Sequence, residues 1–194
     1  MKTKTPRFIL LLVALTSACT LARATTVIPP SFDQLVGQAQ TIFQGSVTDV
    51  RSQWVGEGNT RHIESYITFQ VEDAIKGNPG ESYTIRTYGG TVGEDTMGIF
   101  DGPVFNKGDR QILFVENNGQ QVVPLVGLMY GQFKVQHDDA SGLDLVKSHE
   151  GEAVKSVARF GHEGEAPSET EASLPNMTTD AFKAEIRNKL QSLQ

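Results

Sequence analysis

The strongest periodicity in the chain lies between His62 and Glu72. There Ile63, Ser65, Ile67, Phe69 and Val71 alternate with His62, Glu64, Tyr66, Thr68, Gln70 and Glu72. A period of two puts the first set on one face of a β-strand and the second on the other, one face buried and one wet. Glu72-Asp73 and the turn Lys76-Gly77-Asn78-Pro79-Gly80 then end the strand. Thr41 to Val50 is rich in strand formers and predicts a strand before it, and the polar stretch Arg51 to His62 between them predicts a loop carrying Trp54 and Val55. Tyr83, Ile85 and Thr87 continue the alternation in a third strand, stopped by Gly89-Gly90. The unbroken apolar run Ile112-Leu113-Phe114-Val115 has the pattern of a central strand covered on both faces. Val122-Val123 and Phe133-Lys134-Val135 predict further strands, and His137 to Gly142 a hairpin turn into Leu143 to Val146. The Gly-rich connection from Gly90 to Asp109 is long, and connections of that length are often functional.

Two helices flank this β-rich body. Ser31 followed by Gln34 has the form of a capping box, and Phe32, Leu35, Val36 and Ala39 give the helix it opens one apolar face before it ends near Gln40. Phe182, Ile186, Leu190 and Leu193 form a narrow stripe on a second helix beginning near Thr179 or Asp180, which either docks on the barrel or meets a partner. Gly161 to Pro175 is acidic and rich in Ser and Pro, with almost nothing to bury, and reads as a flexible tether. The expected class is mainly β: a small OB-like barrel with a short N-terminal helix and a C-terminal amphipathic helix, with a β-sandwich as the alternative. Alternating βα units are absent, which excludes Rossmann and TIM arrangements.

The ends set the expected compartment. Lys2, Lys4 and Arg7 precede the apolar run Phe8 to Leu15, and Ala22-Arg23-Ala24 has the form of a signal-peptidase site. The expected layout is a signal peptide over 1–24, a barrel domain over 25–150, an acidic linker over 151–178 and a helix over 179–194. Cleavage after Ala24 removes four basic residues and no acidic ones, taking the formal charge from −6 to −10. It also removes Cys19, the only cysteine, so the secreted or periplasmic product has no thiol and no disulfide. Lipidation at Cys19 is disfavoured because Thr16 occupies the position where a lipoprotein box has Leu. An acidic chain lacks the basic stripe that nucleic-acid binding uses, and the short apolar run does not span a bilayer.

Candidate chemistry is sparse. His149-Glu150-Gly151-Glu152 recurs as His162-Glu163-Gly164-Glu165, but neither copy has the H-E-x-x-H spacing that puts two imidazoles on one helical face. His137-Asp138-Asp139 falls in the predicted turn, where Asp serves local backbone bonding. No G-x-S-x-G accompanies a histidine, and a Thr25 nucleophile has no supporting constellation. No catalytic residue, metal or cofactor is expected. Trp54, and Met97, Ile99 and Phe100 in the long connection, are the aromatic and apolar loop residues suited to contact with a protein partner. The alternatives are that Trp54 plugs the barrel mouth and that the connection is a flap.

Several stretches, in order, carry a family resemblance. They are Thr25-Thr26-Val27-Ile28-Pro29-Pro30, Ile42-Phe43-x-Gly45-x-Val47, Phe69-x-Val71 with Ile75-Lys76-Gly77, and Phe105-x-x-Gly108-Asp109-Arg110-x-Ile112-Leu113-Phe114. Over about residues 25–136 the chain resembles the netrin-like OB barrels, which include the tissue inhibitors of metalloproteinases, as a bacterial exported member. Gly89 to Gly93 and Pro124 to Gly127 are similar to segments of other bacterial exported proteins. The resemblance implies a non-enzymatic module whose N-terminal amine and carbonyl chelate a protease's catalytic zinc. Thr25 would then be the chelating residue, Thr26 would point to the specificity pocket, and Val27 would follow in the contact. The missing disulfides are a departure, because in that family they staple the N-terminal segment to the barrel. The alternatives to an exported binding module are a metal-dependent hydrolase using the His-Glu repeat and a structural envelope lipoprotein.

Overall fold

The computed structural model of the chain describes residues 28–99, 102–162 and 165–193. The chain enters α1 (Phe32–Gln38) through the predicted capping box. The Gln34 backbone N–H donates to the Ser31 hydroxyl, and the Ser31 N–H donates back to Gln34 Oε1 at 2.8 Å. Then come β1 (Thr41–Val55), β2 (His62–Lys76), β3 (Ser82–Tyr88) and a small hairpin, β4 (Gly90–Val92) with β5 (Asp95–Met97). β6 (Arg110–Val115), β7 (Gln132–Asp138) and β8 (Leu143–Lys147) follow, and α2 (Glu169–Ala172) and α3 (Thr179–Ser192) complete the order. Lys76 of β2 donates to the carbonyls of Val36 and Gly37 at 2.8 and 3.2 Å, satisfying acceptors that the end of α1 leaves open.

The main sheet is antiparallel with the order β3-β2-β1-β6-β7-β8. The run β3-β2-β1-β6-β7 is the strand order of an OB barrel. Here the sheet curls but does not close, so the fold is mainly β and barrel-like in outline, as the alternation implies. The exposed edge of β3 is covered by an irregular segment. Arg86 N–H donates to Asn118 Oδ1 at 3.1 Å, Asn118 Nδ2 donates to the Thr84 carbonyl at 2.8 Å, and Tyr88 N–H donates to the Val122 carbonyl at 2.7 Å. A covered edge is protected from pairing with another chain.

β6 explains why its apolar run is continuous. Ile112 and Phe114 face one core with α1, α3, Phe133 and Val154, while Leu113 and Val115 face the barrel interior with Phe43, Phe69 and Ile85. α3 docks by burying Phe182 and Ile186 in the first core, so the stripe meets the body of its own chain. Lys183 and Arg187 bind Asp73 of β2 at 3.1 and 2.7 Å, and Lys189 binds Asp33 of α1 at 2.7 Å.

Four local expectations are corrected. β1 runs on through Arg51 to Val55, because that polar stretch pairs residue by residue with β2, Trp54 opposite Ile63 and Val55 opposite His62. β2 does not end at Glu72-Asp73, since Arg110 and α3 hold those two carboxylates from neighbouring elements. Val122-Val123 form no strand; only the Val122 carbonyl joins β3, and Val123 is buried in the barrel interior. His137 belongs to β7 and not to the turn, which occupies 139–142. The stretch expected as an acidic linker also carries structure. Val154 is buried, Phe160 and Met177 pack on the first core, and α2 opens with a Ser168-Glu171 capping box. Among the described residues, no helix is long and apolar enough to cross a membrane.

Candidate functional site: a cleft beside the barrel interior

The long Gly90–Asp109 connection is part hairpin and part roof. Ile99 and Phe105 pack against the barrel-interior core, Phe105 edge-on to Phe69 with ring centroids 5.9 Å apart. Gln132 Nε2 holds the roof by donating to the Val104 carbonyl at 2.8 Å. Between this roof, the β4/β5 hairpin and the sheet lies a cleft of about 490 Å³. Val50, Ser52, Ser65 and Ile67 form its sheet side, and Met97, Ile99, Pro103 and Val104 the opposite wall. Val50 and Val104 are among the exposed large hydrophobics of the chain.

Two serines set the depth of the cleft. Ser52 and Ser65 lie side by side with hydroxyls 2.8 Å apart, and Ser65 Oγ donates to the Gly89 carbonyl at 2.6 Å. Gly90, at φ +133°, rests on this pair so closely that a Cβ would lie 2.2 Å from Ser65 Oγ and 2.3 Å from Ser52 Oγ. Only glycine permits that approach. The polar lining is hydroxyl groups and backbone: Ser52, Ser65, Thr87, Tyr88, Thr91 and Thr96. Among the described residues, no carboxylate, imidazole, ammonium or guanidinium lines the cleft.

Among the described residues, those singled out from sequence do not all line the cleft. Met97 lines the cleft. Trp54 stands on β1 two positions beyond Ser52, half-buried, its ring covered by the Arg61 guanidinium at 4.1 Å. It belongs to neither buried core, so it does not plug the barrel. Thr25, Thr26, Val27 and Phe100 lie outside the described residues. Ile28, where the description begins, is exposed, and Pro30 packs on Gly127. Val126, beside it, bonds to the Phe114 carbonyl, and Phe114 pairs with Ile42 at the start of β1. Ile28 to Pro30 therefore sit at the beginning of β1, while the cleft and Trp54 sit toward its end. Sequence reasoning missed Val50, Ser52, Ser65 and Val104; the signals were the length of the Gly90–Asp109 connection and the Gly89-Gly90 pair, read as a strand stop.

The charged clusters lie elsewhere. Arg110 ties Glu72 of β2 to Asp144 of β8, at 2.9 and 2.6 Å, and His137 Nδ1 bonds to Asp144 at 2.9 Å. Burial opposes ionisation of Glu72, but bonds from Arg110, Ser46 and Gln44 win and hold its carboxyl below the usual range. Bonds from Arg110 and then His137 lower Asp144 in the same way. Of the two His-Glu tetrapeptides, Glu163 and Gly164 lie outside the described residues; His149 approaches Glu150 at 3.8 Å and His162 approaches Glu165 at 3.1 Å. Among the described residues, no three His, Asp or Glu side chains are grouped to hold a metal.

In comparison with known proteins, the chain matches no protein-family model, no curated protein and no solved structure.

Proposed function

We propose that this chain is an exported, non-enzymatic protein-binding module of netrin-like OB type that holds an uncharged, apolar stretch of a partner protein in the cleft beside β4 and β5. The observation that carries the reading is the lining. Hydroxyls and backbone groups supply orientation, Val50, Met97 and Val104 supply apolar contact, and acid–base groups are absent among the described residues. The volume of about 490 Å³ suits a few side chains of an extended segment. The OB strand order and the leading capped helix support the netrin-like placement, and the signal-like N-terminus supports export.

Selection of displayed random peptides on the purified chain tests the reading. Uncharged peptides rich in large apolar residues should be enriched. Val50→Lys combined with Val104→Asp, both at exposed positions, should weaken their binding by about tenfold or more. Equal binding to the double variant, or enrichment of charged sequences only, would overturn the assignment.

A further inference from the structure

A second cavity, of about 300 Å³, opens on the opposite side of the sheet; the proposed partner contact does not use it, and His149, Glu150 and Glu152 of the first His-Glu tetrapeptide line it. Its floor is apolar and buried: Leu35 of α1, Phe133 of β7 and Val154. Phe160 stacks on Phe133 with ring centroids 5.4 Å apart and forms one wall, and Tyr130, edge-on to His149 at 5.1 Å, forms another. The stretch 148–160 closes the cavity, anchored where Lys147 bridges Ala153 and where Lys134 Nζ donates to the His149 carbonyl at 2.7 Å.

The rim carries both signs of charge. Glu150 and Glu152 are acidic members, and among the described residues Glu152 has no charged partner. Lys155 and Arg159 are the basic members. Lys155 is held by its bond to the Ala172 carbonyl at 2.6 Å. Arg159 spends Nη2 alone on the carbonyls of His162 and Glu165, leaving Nη1 and Nε uncommitted among the described residues. Backbone carbonyls fix these cations without neutralising them, and Glu171 acts on Arg159 through space without an ion pair among the described residues. An anion would meet Glu150 and Glu152, and a cation would meet Lys155 and Arg159. A ligand that carries both charges, plus an apolar group for the aromatic floor, satisfies every part of the lining.

The geometry points to a site for a free zwitterionic amino acid with an aromatic or large aliphatic side chain. The side chain lies against the stacked Phe133–Phe160 pair, the α-carboxylate meets Arg159, and the α-ammonium meets the Glu150–Glu152 rim. The volume sits at the lower end of the range for small-molecule sites, which suits one amino acid and excludes a larger metabolite. The site is independent of the partner cleft, with which it shares no lining residue.

Titration calorimetry of the full chain with L-phenylalanine and L-leucine tests this, with 2-phenylethylamine, 3-phenylpropionate and phenylalanine amide as arms lacking one charge. Saturable heat is expected for the zwitterions, and each one-charge arm should bind about tenfold more weakly or worse. Glu152→Gln and Arg159→Gln should each weaken phenylalanine by a similar factor while leaving the circular dichroism spectrum unchanged. Amide cross-peaks of 148–160 should shift on titration, a readout that needs neither variant. Three outcomes would each overturn the site: no heat and no shifts at millimolar amino acid, binding of the amine or the acid alone as tight as the zwitterion, or an affinity that both substitutions leave untouched. If phenylalanine amide bound as tightly as phenylalanine, the occupant would be a peptide N-terminus and the free amino acid would be excluded.

Discussion

Gly90 is where a single atom decides the shape of the cleft. A methyl group there would occupy the space of two hydroxyls, and the backbone at φ +133° is one that side-chain-bearing residues rarely adopt. Gly90→Ala should therefore destabilise the fold by about 2 kcal/mol, seen as a lower urea midpoint with an unchanged slope. It should also widen the cleft, because β4 must lift away from Ser52 and Ser65. The acidic residues give a second residue-scale expectation. Asp73 is buried enough to oppose ionisation, but Arg187 and Lys183 lower it, and Glu72 and Asp144 are lowered as described above. All three ionise more readily folded than unfolded. Their stabilisation is therefore fully present above their ordinary values of 4.5 for Glu72 and 3.8 for the two aspartates, and is lost as pH falls through the lowered ones. Unfolding free energy should be level in this respect from neutral pH to about 5 and should fall below that. Glu72→Gln should cost about 1 kcal/mol at pH 7 and flatten part of the acid limb, measured by denaturant melts across pH.

At the scale of elements, α3 is held far more by its apolar residues than by its ion pairs. Phe182 is fully buried at the centre of an aromatic cluster, with ring centroids 4.9 Å from Phe133, 6.1 Å from Phe160 and 6.3 Å from both Phe32 and Phe114. Phe182→Ala should cost about 3–5 kcal/mol, a large share of a typical domain's stability, whereas Leu193→Ala, at an exposed position, should shift the thermal midpoint little. The difference marks what was legible in the sequence. The spacing of Phe182 and Ile186 identified the helix, but its partner surface is assembled from α1, β6 and β7, which no local pattern reveals. Strands with one buried face, such as β2 and β3, were legible for the same reason that Arg51–Val55 was not. The alternation of Ile63 to Phe69 is written in the strand itself, while the end of β1 is strand only because β2 lies opposite. Val122-Val123 erred the other way: β-branched residues sit in a segment that serves β3 through one carbonyl. The cleft was illegible because its hydroxyls come from three strands and a hairpin, and only their juxtaposition around Gly90 makes a site.

At the scale of the molecule, the start and the end of β1 separate two readings that sequence alone runs together. The netrin-like resemblance would put the work at the free amine of Thr25, with Trp54 and Met97 as neighbouring contacts. Pro30, seated on Gly127 beside the first residues of β1, leads the chain in at the end remote from Val50, Ser52 and Met97. The entry through Pro30 and the cleft built from β4 and β5 are therefore probed by different substitutions. Material beginning at Thr25 and material carrying one extra residue before it should bind the selected apolar peptides with the same affinity, within about twofold, since among the described residues the cleft lining begins at Val50 and independent sites act additively. The Val50→Lys, Val104→Asp variant should lose those peptides whichever N-terminus it carries. If lengthening the chain at Thr25 instead abolished peptide binding while the double variant retained it, the amine would be the working group and the cleft a structural seam. Fluorescence anisotropy of one labelled peptide against the four proteins decides between these outcomes.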